Sequence, residues 1–207
     1  MGKATWLQMP LVAIDSNIID EIAHTVGAEP VLADAMESLS PPPVSLPRRA
    51  YAWYWLLALA PYWVSCLYTF SDTLYQEVAA IPGRALWRDR LLGLGAEIRE
   101  AHPEDLRDPD PTMRPDDQTL IDMGLSSADS EHIADAVGLG VTHFLTYDKG
   151  ILKRSQAIRS RWGLTVVTPE DFLVEAVRSG APWPARVPWP WDAGPLSTGF
   201  PETSKPI

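Results

Sequence analysis

Residues 10–20 read PLVAIDSNIID. An unbroken apolar run, Leu11-Val12-Ala13-Ile14, ends in a carboxylate at Asp15, and small polar residues and a second apolar stretch follow at once. Continuous aliphatic and β-branched residues predict a short buried strand. Such a strand tolerates an aspartate only at its edge, where water, a metal or a partner reaches it, because an isolated buried carboxylate is costly. Beyond Asp15, the apolar residues Ile18, Ile19, Ile22, Ala23 and Val26 keep helical spacing and stop at Gly27, so a helix is expected over residues 16–27.

The same unit of strand, acid and helix recurs. YWVSCLYT (62–69), VTHFLTYD (141–148) and GLTVV (163–167) read as strands, and the second of these again ends in an aspartate, Asp148. Helices are expected over SDTLYQEVAAI (71–81), with Ser71 or Asp72 as N-cap, and over SSADSEHIADAVGLG (126–140), where Ser126 and Asp129 resemble a capping box. TPEDFLVEAVRSG (168–180) opens a last helix with Thr168 as cap and Pro169 at its first position. Further helical spacing occurs near 31–39, 50–59 and 83–101, and HPEDLRDPDPTMRPDDQ (102–118) reads as an acidic connection. Strands alternating with helices predict an α/β fold, a central mostly parallel sheet covered on both faces.

At 207 residues the chain is long enough for one domain with a substantial core. Its 20 prolines and 9 tryptophans are concentrated, with seven of the prolines and three of the tryptophans in residues 180–207, which are too proline-rich for a helix or sheet interior and are expected to be extended or disordered. A lone cysteine, Cys66, in apolar surroundings excludes an intramolecular disulfide and a cysteine-only metal site. No apolar signal-peptide core precedes Asp15. Tyr51 to Phe70 carries no charge, but Pro61 and Ser65 divide it into a helix-like and a strand-like half, so a cytoplasmic protein without a membrane span is expected. The net charge of −10 opposes casual association with nucleic acid and makes local charge distribution the deciding matter.

Asp15 and Asp148 share one description: each lies at the carboxyl end of an apolar strand, the edge at which open parallel sheets bind ligands. Asp129 falls in the first turn of the helix leading into the second of these strands, and Glu77 about two turns into the helix after the strand ending at Thr69. Four carboxylates brought together raise one another's pKa, and a hard divalent cation, Mg²⁺ or Mn²⁺, relieves the repulsion. Phosphodiester hydrolysis is the chemistry such a cation serves, by activating water and stabilising charge on the phosphoryl oxygens. Each acid also has a plainer role open to it. Asp15 can cap a helix, Asp129 can answer a helix dipole, Glu77 can sit on a solvated face, and Asp148 before Lys149-Gly150 can serve a turn. His132, at i+3 from Asp129, is expected to be packed or solvent-facing rather than a ligand, and Glu131 and Asp135 to be exposed helix positions. Lys149, Lys153 and Arg154, with Arg159 and Arg161 beyond them, form a basic stretch along which a phosphate backbone could lie.

VAIDSNIID, SDTLYQEVA, ADSEHIADAVGLGVTHFLTYDKGIL and GLTVVTPEDFL resemble, in this order, the motifs of PIN domains. The resemblance spans residues 10–178, with insertions around 30–62 and 80–125, and frames a PIN-like domain over 1–179. It implies a three-layer α/β/α fold and a metal-dependent endonuclease, most often a ribonuclease and in some cases a toxin of the VapC type. Carried over by position, it implies Asp15, Glu77, Asp129 and Asp148 as the acids holding Mg²⁺ or Mn²⁺, with Asp72 a rival to Glu77, and Asn17 and Thr146 as supporting polar residues. It further implies an RNA substrate, DNA being the alternative, together with an antitoxin-like partner and a homodimer. Two other readings stay open at this point: a PIN-fold interaction module with little catalysis, and a metal-dependent phosphatase of another α/β family. The latter is weakened because position 17 is Asn, where a first-strand DxD pair would need Asp.

Overall fold

The computed structural model describes residues 11–17, 67–69, 71–80, 89, 92–93 and 110–178. Its elements are β1 (Leu11–Ile14), β2 (Leu67–Thr69), α1 (Asp72–Ala80), α2 (Asp117–Asp122), α3 (Ser127–Gly138), β3 (His143–Leu145), α4 (Lys149–Leu152), α5 (Ser155–Trp162), β4 (Thr165–Val167) and α6 (Pro169–Arg178). The expected helices over 31–39 and 50–59, and nearly all of those over 16–27 and 83–101, lie outside the described residues, as does the tail from 180. Among the described residues no helix is long and apolar enough to cross a membrane.

The four strands form one sheet in the order β2-β1-β3-β4, every pair parallel. Ala13, Phe144 and Val166 are register partners across β1, β3 and β4, so alternation places them on one face. That face carries the main core, in which they meet Leu120 of α2, Ile133 and Val137 of α3, Ile151 of α4 and Ile158 of α5. Burying each of the larger of these side chains is worth about 1.5–3 kcal/mol, so that several of them together outweigh the ladder of any strand of three or four residues. His143, one residue out of phase with Phe144, turns to the opposite face. There it meets the Phe172 ring of α6 edge-on, centroids 5.3 Å apart. Helices therefore cover both faces of a mixed α/β fold built on a parallel sheet.

Local chemistry explains the helix starts. Ser71 Oγ accepts from the Leu74 amide, so Ser71 rather than Asp72 caps α1. Ser126 caps α3 through the Asp129 amide, and Thr168 caps α6 through the Asp171 amide. Helix α2 departs from the expected connection over 102–118. Asp116 accepts from the Gln118 amide to start it. Gly124, at φ +89°, lets the chain turn away after it, a conformation that side chains with a Cβ resist. Only Leu120 in α2 is buried, so the segment carries no repeating apolar period to announce a helix.

Candidate metal centre

Strand order reverses between β1 and β3: from β1 the chain first goes to β2 on one side and then returns to β3 on the other. Brought together at such a reversal, two strand ends diverge into helices on different sides and leave a crevice between them. Asp15 follows β1 at this crevice and Thr146 follows β3. The Asp15 amide donates to Leu145 O at 2.9 Å, which continues the ladder by one residue and fixes the aspartate at the edge.

Thr146 is fully buried and its hydroxyl is the centre of a closed set of hydrogen bonds. Oγ1 donates to Asp15 Oδ2 at 2.5 Å and accepts from the Asp148 amide at 2.8 Å and from Asn17 Nδ2 at 3.1 Å. One donor and two lone pairs are thereby all used. Asn17 Nδ2 also donates to Asp15 Oδ2, and the Asn17 amide donates to Asp15 Oδ1. Both bonds of Nδ2 go to acceptors, so the amide orientation is dictated, and Oδ1 is left buried without a donor.

Asp15 is only 7 % exposed. Burial pushes its carboxyl above the ordinary value of 3.8; the Thr146 hydroxyl, the Asn17 amide and the charge of His132 act in the opposite sense, and Asp129 adds a further push upward. Among the described residues no lysine or arginine pairs with it. Glu77 comes from α1, where Oε2 accepts from Ser16 Oγ at 2.8 Å and stands 2.9 Å from His132 Nε2. Asp148 caps α4 by accepting from the Ile151 amide at 2.9 Å on Oδ1. The plainer roles of Asp15 and Asp148, local hydrogen bonding and capping, are thus realised alongside their position at the crevice.

Asp15, Asn17, Thr146 and Asp148 form one bonded set, and Glu77 joins it through Ser16, the neighbour of Asp15. Asp129 enters through its charge on Asp15. Among the described residues, no three acids, histidines or cysteines close into a ready-made cage. Every donor present near the edge is an oxygen except His132, and the orphaned Asn17 Oδ1 is a neutral oxygen of the same hard type. The residues therefore fit Mg²⁺ or Mn²⁺.

His132 is buried, 6 % exposed, and is engaged rather than solvent-facing. Its i+3 relation to Asp129 was a visible signal; its bond to Glu77 of another helix was not. Asp135 also departs from the exposed position expected of it, since it accepts from Thr73 Oγ1 at 2.8 Å and from Arg114 Nε at 3.0 Å. Lys149, next to Asp148 in the chain, and Lys153 are exposed. Arg154 differs from them: Nε donates to Met123 O at 2.7 Å and Nη1 to Gly150 O at 2.8 Å, which ties α4 and α5 to the turn after α2. The side chain of Asp72 lies outside the described residues. Neither a family model, a curated protein nor a solved structure matches the chain.

Proposed function

We propose that the chain is a PIN-like, metal-dependent endonuclease that hydrolyses phosphodiester bonds, RNA being the preferred substrate. The carrying observation is Asp15: a buried carboxylate at the strand-order reversal, raised in pKa and, among the described residues, paired with no lysine or arginine. Such a charge is costly alone and becomes favourable opposite a bound cation. Asp15 and Asp148 would hold Mg²⁺ or Mn²⁺, with Glu77 and Asp129 contributing directly or through water. Bound there, the cation would supply the activation of water and the neutralisation of phosphoryl charge that hydrolysis needs. Thr146 fixes the Asp15 carboxylate and, through the Asp148 backbone, the spacing of the two acids. Asn17 keeps Asp15 from rotating and offers Oδ1 to whatever occupies the crevice.

Lys149 and Lys153 are placed to attract the phosphate backbone, while Arg154 acts in this reading as a structural tie. An antitoxin-like partner and a homodimer belong to the same proposal on the strength of the motif resemblance, and cytoplasmic residence belongs to it on the reading of residues 51–70 and the N-terminal segment. The test is cleavage of labelled single-stranded RNA and DNA pools with Mn²⁺ or Mg²⁺, comparing wild type with Asp15→Asn and Asp148→Asn. Metal-dependent cutting that both substitutions abolish is the expected outcome, with RNA cut in preference to DNA. Cutting that persists in either variant, or that EDTA leaves untouched, would remove the proposal.

A further inference from the structure

Beside their buried apolar residues, helices α1 and α3 also meet through a line of polar pairs. At one rung Thr73 Oγ1 donates to Asp135 Oδ2, and Arg114 supports the same aspartate through Nε while Nη1 reaches Asp117. Four residues on, at the next rung, Glu77 of α1 meets His132 of α3. Positions four apart on α1 and three apart on α3 lie on one side of each helix, so the two rungs form a single line running toward Asp15.

The second rung carries more than the first needs for packing. Glu77 is 38 % exposed in its side chain, and a glutamate so placed ordinarily samples many rotamers in water. Here one oxygen, Oε2, receives two donors from two separate elements, Ser16 Oγ beside Asp15 and His132 Nε2 on α3. Among the described residues, Oε1 accepts no hydrogen bond. Two donors on one oxygen fix the carboxylate and leave the other oxygen to a ligand. His132 is itself buried, so its ring cannot follow a moving glutamate.

We propose that His132 is a positioning residue that, together with Ser16, aims Glu77 at the cation, so that α3 contributes one acid, Asp129, and the orientation of a second acid from another helix. This rests on the cation reading above and adds to it a residue that does not touch the cation. Groups that orient a ligand at second hand typically change metal affinity about 10–100-fold when removed.

The experiment is a titration of the full chain with Mn²⁺, reading the free-ion electron paramagnetic resonance signal, with far-ultraviolet dichroism to verify folding. His132→Phe keeps a buried ring and removes the donor; His132→Gln keeps a donor. His132→Phe is expected to weaken Mn²⁺ binding about 10–100-fold, and His132→Gln to stay near wild type. In a Glu77→Gln background, His132→Phe is expected to cost nothing further, which separates aiming Glu77 from general support of the fold. Should the phenylalanine variant fail to fold, His132→Met carries the same expectations. Wild type that takes up Mn²⁺, with Asp15→Asn abolishing uptake and His132→Phe leaving it unchanged, overturns this inference alone. An undiminished His132→Phe loss in the Glu77→Gln background does so as well. Wild type that takes up no Mn²⁺ overturns the cation reading and this inference with it.

Discussion

Asp15 carries a cost in stability that can be measured at a single residue. Its carboxyl is raised above 3.8, chiefly by burial, so the folded chain holds its proton more tightly than the unfolded chain does. The contribution to stability is therefore full below the unfolded value and is lost as pH rises through the folded one. In EDTA, the melting temperature of Asp15→Asn relative to wild type is expected to climb as pH rises from acid toward neutral. Adding Mn²⁺ should stabilise wild type alone. A difference that is flat with pH would show that Asp15 ionises without cost. The sequence showed the position of this residue, because an unbroken apolar run ending in an aspartate puts the acid at a strand's end. It could not announce Thr146 as the centre of the set, since that role depends on a partner 131 residues away in the chain.

At the scale of elements, Asp148 has two duties that substitution separates. Its side chain caps α4, and in the proposed reading its charge also holds the cation. Asparagine caps about as well as aspartate, whereas alanine loses about 1 kcal/mol. Asp148→Asn is thus expected to keep its urea midpoint and lose cutting, and Asp148→Ala to lose both; equal destabilisation by the two would deny the cap. Gly124 offers a second check. A Cβ there would run into the Arg154 guanidinium, and the left-handed backbone alone costs about 1–2 kcal/mol for other residues. Gly124→Ala should therefore lower the urea midpoint clearly, and an unchanged midpoint would mean that the turn and Arg154 rearrange freely. Strand β1, the cores of β3 and β4, and the helices capped by Ser71, Ser126 and Thr168 were legible because period, length and cap agreed. Helix α2 was not, having a cap and a terminal glycine but no apolar stripe. Arg154 looked like part of a phosphate track because sequence shows charge and hides which carbonyls claim it.

Across the whole molecule, a net charge of −10 repels the polyanion that the crevice is proposed to cut. Binding of the proposed substrate would then lean on exposed cations such as Lys149 and Lys153. Each phosphate contact to a single strand adds about 0.7 to the slope of log affinity against log salt. The double replacement Lys149→Ser with Lys153→Ser should flatten that slope by about 1.4, read by fluorescence anisotropy on a single-stranded RNA. Arg159→Ser with Arg161→Ser producing the larger change would move the track along α5 instead.

The sheet order also governs when the crevice can exist during synthesis. β1 leaves the ribosome early, yet its neighbour on the crevice side is β3, and the Asp15–Thr146 bond waits for 131 further residues. At ~5–20 residues per second that is a delay of roughly 7–26 s. Throughout it Asp15 has neither the threonine that fixes it nor the second strand-end acid. The paired strand ends that frame the crevice therefore come together only once β3 has been made.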